Sequence, residues 1–324
     1  MTAPMLKNRI APAANQNQSL VLSVSENLKG FIALHLGRFA LFIITCTSVL
    51  AVLMIFFFVI RESLPFLLKA DLWEFLTSTE WKPESENTRF GSLTMIVGSG
   101  YVTFFSMLFA VPIGILAAVY LSEIAPFKVK NIVKPLIEIL AAIPSVVYGF
   151  FAVAIVAPWM QQKLGFTTGT NALNASFVLA IMALPTIISV SEDSISAIGR
   201  DLREASYGLG ATRFETIYKV IIPSAHSGII AAVGLGMMRA IGETMVVWMA
   251  SGNSNQIPHP WWNLAQSVRT MTATIAGDMG ETVKGSDHYR ALFSVGFVLL
   301  ILTFFLNTVS EYFLIRAKKK LGHK

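Results

Sequence analysis

The feature of this sequence that most constrains its fold is a run of 22 residues, 39–60, without a charged side chain. At about 1.5 Å of rise per residue, a helix of this length crosses the hydrocarbon core of a bilayer, which is about 30 Å thick. Because lipid offers a peptide backbone no hydrogen-bond partners, such a span must be helical. The sequence therefore predicts an all-α membrane protein. Its six predicted transmembrane spans are residues 39–60, 92–121, 133–157, 175–191, 226–250 and 291–315.

The composition agrees with this class. Hydrophobic residues make up 54% of the chain and charged residues only 14%, which excludes an ordinary soluble protein. The single cysteine, Cys46, lies inside the first predicted span and can form no disulfide within the chain.

The positive charges indicate how the spans are oriented. Six spans place both termini on one side of the membrane. If that side is the cytoplasm, the inner segments carry sixteen Lys and Arg residues and the outer loops carry eight, as the positive-inside rule expects. The net charge of +6 then reflects membrane topology and not binding to nucleic acid. We expect a cytoplasmic N-terminal tail (1–38), a membrane domain (39–315) and a basic cytoplasmic tail (316–324).

A polar, helix-prone segment, residues 204–223, separates the fourth and fifth spans. It cannot cross a bilayer, so it lies on the inner face. The segment resembles the cytoplasmic EAA loop of ATP-binding-cassette importer permeases, because Glu204, Ala205 and Gly210 match that pattern and Pro223 has the matching spacing. The resemblance implies that Glu204, Ala205 and Gly210 belong to a coupling helix that docks in a groove of a partner ATPase, where small residues allow close packing.

Two charged residues, Arg239 and Glu243, fall in the middle of the fifth predicted span. They are four positions apart, so a continuous helix would present both on one face. An arginine at the centre of a bilayer costs about 2.5–3.5 kcal/mol on insertion scales and should face the protein interior or a wet cavity. Two interpretations follow. The residues form a structural ion pair, or Arg239 lies on an anion pathway and Glu243 holds it in place and moderates its affinity.

Several segments together resemble the permeases of phosphate-specific ATP-binding-cassette importers, and the PstC-type subunit more than the PstA-type one. The resemblance covers the chain from the first span to the last and implies a type I importer permease fold with Arg239 and Glu243 in the transport path. The matching segments are residues 134–138, 142–149, 204–210, 239–245 and 280–281 with 291–296.

The same resemblance implies the partners of the chain. These are a PstA-like second permease, two copies of a PstB-like cytoplasmic ATPase and a PstS-like extracytoplasmic phosphate-binding protein, assembled at a bacterial inner membrane. The outer loops would receive the binding protein. Their tryptophans Trp81, Trp261 and Trp262 are candidate contacts, and they suit ordinary interfacial aromatics equally well.

The chain lacks the residues of an enzyme. It contains no phosphate-cradling Gly-x-x-x-x-Gly-Lys loop, so ATP hydrolysis must come from a partner. His259 and His288 have no metal-ligand spacing, and no cofactor is expected. Glu138, near the inner mouth of the third span, is interpreted as structural: its carboxylate either reaches out to the membrane interface or pairs with Lys134.

Three alternatives stay open at this point. The same machine could carry another oxyanion, such as molybdate, sulfate or phosphonate. A secondary transporter driven by an ion gradient is disfavoured by six spans and an EAA-like loop. A scaffold that signals phosphate status is the third.

Overall fold

The structure is a computed structural model that describes the backbone of residues 24–320 and the side chains of residues 34–316. This part of the chain is mainly helical, which confirms the predicted all-α class. Six of its helical segments are long and apolar enough to cross a membrane, the number that the sequence predicts. They are Leu34–Lys69, Leu93–Ile124, Ser145–Leu164, Ala172–Ser196, Arg213–Ile241 and Asp287–Arg316.

The chain divides into two units at the boundary between Phe57 and Phe58. Helix α1 (Val24–Lys69) contains this boundary. In the first unit, the apolar side chains of α1 are exposed, which suits a helix whose surroundings are lipid.

The second unit holds the remaining elements. It begins with the end of α1 and includes α2 (Leu72–Thr77) and a two-stranded antiparallel hairpin of β1 (Trp81–Lys82) and β2 (Arg89–Phe90). The other helices are α3 (Leu93–Val119), α4 (Phe127–Ala142), α5 (Ser145–Phe151), α6 (Ala157–Leu164), α7 (Ala172–Ser196), α8 (Arg200–Gly208), α9 (Arg213–Glu215), α10 (Ile222–Ile241), α11 (Met245–Ala250), α12 (Met271–Asp278) and α13 (Asp287–Lys320). Wider π-helical turns are Tyr120–Ile124 after α3, Ala152–Val156 between α5 and α6, and Thr216–Ile221 between α9 and α10; a 3-10 turn, Met279–Glu281, follows α12.

Helix α7 is the centre of the second unit and packs most extensively against α3 and α10. Glycines allow this close approach on both sides of Ile187. A Cβ atom on Gly114 of α3 would lie 2.7 Å from Cγ2 of Ile187, and one on Gly236 of α10 would lie 2.6 Å from its Cγ1. Small residues at helix contacts let backbones approach within a membrane, where the packing of atoms replaces the hydrophobic effect as the driving force.

Two of the predicted spans are broken. Helix α4 ends at Ala142, the next two residues are extended, and α5 begins at Ser145. Pro144 lacks an amide proton and disfavours helical backbone at the residue before it, which explains this break. The expectation of continuous helices over 133–157 and 226–250 is therefore wrong, because α10 also ends at Ile241 and α11 starts only at Met245.

The predicted tails fall largely at the limits of the structure. Residues 1–23 and 321–324 lie outside the described residues. The described part of the predicted N-terminal tail (1–38) is the start of α1, and the described part of the predicted basic tail (316–324) is the end of α13.

Candidate functional site

Arg239 lies at the C-terminal end of α10, next to the break in the third predicted span. Its Nη1 donates to Oγ1 of Thr186 on α7 at 3.1 Å, and its Nη2 lies 3.5 Å from the carbonyl oxygen of Ala141, in the last turn of α4. The guanidinium thus joins α10, α7 and the carbonyl end of a broken helix. A cation is favourable there, because the last carbonyls of a helix have no partners within it.

The break between α4 and α5 receives a second donor. The hydroxyl of Tyr148 donates to the carbonyl oxygen of Leu140 at 2.7 Å. Non-helical backbone at membrane depth is tolerated where protein groups satisfy it or where it lines a cavity. Tyr148 therefore supports the broken geometry beside Arg239.

Glu243 lies between α10 and α11 and is half-buried. Its Oε1 accepts from the amide of Met245 at 3.1 Å and from that of Val246 at 3.4 Å, so its carboxylate bonds the first residues of α11. Its own carbonyl accepts from the hydroxyl of Thr272 at 2.8 Å.

These contacts correct the predicted relationship between Arg239 and Glu243. The ion pairs among the described side chains do not include one between these two residues. The reason is that α10 ends at Ile241, so the four-residue spacing no longer places both side chains on one helix face. Arg239 is held instead by Thr186 and Ala141. The interpretation as a structural ion pair is therefore wrong. In the second interpretation, the statement that Glu243 holds Arg239 in place is also wrong, whereas the position of Arg239 on an anion pathway stays a prediction.

A very small cavity of about 10 Å³ adjoins Glu243. Its polar lining consists of buried hydroxyl residues from α3 and from the region where α12 begins. This space has room for about one water molecule, and the hydroxyls can donate a hydrogen bond to it and accept one from it. Isolated Ser and Thr residues in apolar helices carry no pattern that sequence reasoning can detect. The hydroxyl residues are Ser99, Thr103, Thr270 and Thr272.

A second cluster lies where α4 packs against the C-terminal part of α7. Glu192 is only 3% exposed, and its two carboxylate oxygens lie 2.5 Å from Nζ of Lys130 and 2.7 Å from Nζ of Lys134. The hydrogen bond to Glu192 raises the pKa of the Lys134 ammonium, which keeps this lysine charged. The predicted pairing of Lys134 with Glu138 is therefore wrong, because Glu138 is exposed and Lys134 bonds Glu192 and Asp193.

The EAA-like segment folds as a helix, a turn and a second helix. Glu204 and Ala205 lie exposed on α8, and Gly210 follows with φ of +85°. Thr212 and Glu215 then form a reciprocal capping box that starts α9. A Cβ atom on Gly210 would meet open space, so packing within this chain does not require a glycine there. The backbone conformation does, because other residues adopt this positive φ only at a cost.

Large apolar side chains accompany these residues at the surface. Leu209 is 89% exposed, and Leu202, Tyr207 and Phe214 are exposed as well. Such a patch beside a charged residue is typical of a protein-binding surface. We call residues 200–215 the coupling segment, after the prediction that they dock on an ATPase.

The three tryptophans predicted as docking contacts divide into two kinds. Trp81 is buried, and its Nε1 donates to Asp278 at 3.1 Å, so its prediction as a docking contact is wrong. Asp278 is also bonded by Arg269, at 2.7 and 2.9 Å. Trp261 and Trp262 are exposed, and both stay candidates for a contact outside the chain.

The chain matches a known protein family in sequence and known importer subunits in fold. A family model described as "Binding-protein-dependent transport system inner membrane component" matches residues 110–319. In solved structures, the chain is similar to a subunit of a bacterial importer of alginate (TM-score 0.60, 16% identity, 88% of this chain and 99% of the other). It is also similar to one in the MetNI methionine transporter (TM-score 0.54, 20% identity, 69% and 96%). These likenesses support the predicted type I importer permease fold.

Proteins of higher sequence identity to this chain include permeases named for transport. The probable ABC transporter permease protein YqgH of Bacillus subtilis is 42% identical over 245 residues, which cover 76% of this chain and 78% of the relative. The phosphate transport system permease protein PstC of Xylella fastidiosa is 35% identical over 269 residues, covering 77% and 81%. That of Mesorhizobium japonicum is 32% identical over 269 residues, covering 77% and 80%. The resemblance to PstC-type permeases that the sequence motifs predict is confirmed. The chain belongs to the family of binding-protein-dependent transport system inner membrane components.

Proposed function

We propose that this chain is a permease subunit of an ATP-driven importer that moves inorganic phosphate across the membrane by alternating access. The observation that carries the proposal is the similarity, over three quarters of the chain, to permeases named for phosphate transport. ATP is hydrolysed by a partner subunit, because a permease of this family forms the transport pathway and has no ATPase site of its own.

Arg239 is the residue that suits the substrate best. A guanidinium presents paired N–H donors in a plane that matches two oxygens of a phosphate. Its contact with the carbonyl of Ala141 is long, at 3.5 Å, so an arriving phosphate oxygen replaces it at little cost. The helix breaks beside Arg239 agree with this role, since discontinuous helices commonly form substrate sites near the middle of a bilayer.

Glu243 moderates the affinity of this site. It lies four residues after Arg239, in the break that follows α10, and adds a negative charge to the same region. A cation in a medium of low dielectric constant holds an anion too tightly for rapid release. A carboxylate nearby weakens that attraction, which favours transport over permanent binding.

The coupling segment connects the transport pathway to the ATPase. Glu204, Ala205 and Gly210 lie in an exposed region rich in large apolar side chains, which suits a groove of a PstB-like ATPase. The other partners are a PstA-like permease and, at the outer loops, a PstS-like binding protein. The coupling segment and both termini then lie in the cytoplasm, in agreement with the excess of Lys and Arg on that side.

The transport cycle follows from these positions. ATP-driven closure of the ATPase dimer displaces the coupling segments and opens the path towards the binding protein. Phosphate then enters and replaces the long contact of Arg239 with the carbonyl of Ala141. ATP hydrolysis separates the ATPases and opens the path to the cytoplasm.

The test is transport by the complete complex in proteoliposomes. We expect uptake of ³²P-phosphate that requires both ATP and the binding protein. An excess of unlabelled phosphate should abolish this uptake, whereas sulfate and molybdate should leave it unchanged. Preferential uptake of another oxyanion would replace phosphate as the substrate, and uptake by this chain alone would contradict the ATP-driven machine.

A further inference from the structure

Arg203 is the most extensively bonded side chain of the coupling segment. Its Nη2 lies 2.6 Å from Oε1 of Glu123, and its Nε donates to the other carboxylate oxygen at 3.3 Å. The same guanidinium donates to the carbonyl oxygens of Ile195, Ile198 and Gly199. Five acceptors are therefore held by one side chain.

The carboxylate of Glu123 and the carbonyl of Ile195 belong to the ends of two other helices, whereas Ile198 and Gly199 lie in the connection from α7 to α8. Glu123 lies in the π-helical turn that ends α3, and Ile195 lies in the last turn of α7. Arg213, at the start of α9, also donates to the carbonyl oxygen of Glu123. Arg203 and Glu123 thus fasten the coupling segment to the ends of α3 and α7.

The fastening is well shielded from solvent. The side chain of Arg203 is 18% exposed and that of Glu123 is 8% exposed. Ile195 and Ile198, whose carbonyls accept from Arg203, belong to an apolar cluster that also contains residues of α3 and α10. A shielded ion pair has a defined geometry, unlike a surface pair between mobile side chains.

The two helices so joined carry the candidate pathway. Thr186, which accepts from Arg239, lies on α7. Ser99 and Thr103, which line the cavity beside Glu243, lie on α3. A displacement of α8 that is passed rigidly to the ends of α3 and α7 therefore reaches both groups of pathway residues.

We propose that Arg203 and Glu123 are positioning residues, which transmit the movement of the coupling segment to α3 and α7. This inference rests on the proposed transport function and adds the connection between its two sites. Arginine suits the role because its planar fork bonds a carboxylate and several carbonyls at once, whereas lysine offers a single point charge.

The first experiment separates coupling from assembly. In the complete reconstituted complex, Arg203→Gln should retain the bound ATPase and its ATP hydrolysis, while the phosphate imported per ATP falls about tenfold, as for loss of a coupling interaction. The matched control is Lys219→Gln, because Lys219 is 68% exposed and its ion pair within residues 34–316 is with the exposed Glu215. The control should change the ratio by less than about twofold. The proposal would be overturned if Arg203→Gln left the phosphate imported per ATP unchanged. It would also be overturned if ATP hydrolysis and phosphate import fell together, in proportion to a smaller amount of assembled complex.

A second variant guards against misfolding. Glu123→Gln keeps an acceptor oxygen for Arg203 and removes the charge, so it should lower the ratio in the same direction but less. The double variant should lower the phosphate imported per ATP no further than Arg203→Gln alone, because both changes remove the same ion pair. Additive losses would show that the residues act separately and would contradict the proposal.

A third readout does not depend on which anion is carried. In a Cys46→Ser background, the alkylation rate of Thr103→Cys is measured with and without ATP. ATP should change this rate when Arg203 is present and leave it unchanged in Arg203→Gln. An equal response to ATP with Arg203 and with Arg203→Gln would contradict the proposed role of the Arg203–Glu123 pair, even if phosphate were not the substrate. Absence of phosphate uptake by the wild-type complex would contradict only the proposed function.

Discussion

The guanidinium of Arg239 donates to the hydroxyl of Thr186 at 3.1 Å. This contact joins α10 to α7, the most central helix of the second unit, and fixes the direction of the one Lys or Arg side chain within the fifth predicted span. Thr186 thereby determines where a positive charge stands at the point where two helices are broken.

The first prediction concerns this hydroxyl. Thr186→Val has nearly the same volume but cannot accept from Arg239, and a hydrogen bond to a charged group contributes about 1.5–3 kcal/mol. We expect the rate of phosphate uptake to fall about tenfold. Thr186→Ser retains the hydroxyl and should keep most of the rate. Equal rates for the Val and Ser variants would show that Thr186 does not position Arg239.

The second prediction concerns the charge of Glu243. In Glu243→Gln, the amide oxygen still accepts from the amides of Met245 and Val246, so the start of α11 is preserved. Without the negative charge, the anion is held more tightly at Arg239. Uptake measured over a range of phosphate concentrations should show a lower half-saturating concentration and a lower maximal rate. A higher half-saturating concentration would mean that the carboxylate helps to bind phosphate.

The third prediction concerns stability at the contact between α4 and α7. Glu192→Gln leaves Lys130 and Lys134 beside a neutral amide, and loss of one partner of a buried pair costs about 3–5 kcal/mol. Because both lysines are about one third exposed, we expect a smaller loss of about 2 kcal/mol. Thermal unfolding in detergent measures it. The control is Glu138→Gln, an exposed residue of α4 that should leave the unfolding temperature unchanged. Equal unfolding temperatures for both variants would contradict the buried pair.

The fourth prediction concerns the turn of the coupling segment. Gly210 has a φ of +85°, and a side chain in this region costs about 1–2 kcal/mol. Gly210→Ala should therefore weaken retention of the ATPase during purification by about tenfold. Gly208→Ala is the matched control, because Gly208 is helical and a Cβ there meets open space. Retention that is equally poor in both variants would show that the small size of the residue matters and not its backbone conformation.

Much of the fold could be predicted from the sequence, because lipid makes hydropathy a direct signal for each span. The helical and polar character of the coupling segment was also predictable, since its residues are adjacent in the chain, and its role in coupling stays a prediction. The breaks after Ala142 and Ile241 were not. Pro144 indicates that the helix needs support near Ala142, but the spacing of the sequence does not show that Tyr148 and Arg239 provide it.

The partners of the charged and aromatic residues were the least predictable part. Lys134 was expected to pair with Glu138, four residues away, but it bonds Glu192, 58 positions along the chain. Trp81 was expected at the surface, but its Nε1 bonds Asp278, 197 positions away. Such contacts depend on how helices pack, and local spacing holds no information about them.

The central claim is that Arg239 binds phosphate on its way through this subunit. The most direct measurement is the initial rate of ATP-dependent ³²P-phosphate uptake by the reconstituted complex that carries Arg239→Ala, normalised to the amount of assembled ATPase. Loss of a charged partner for a bound anion costs about 2–5 kcal/mol, so the rate should fall about a hundredfold. A correctly assembled Arg239→Ala complex that imports phosphate at the wild-type rate would contradict the claim.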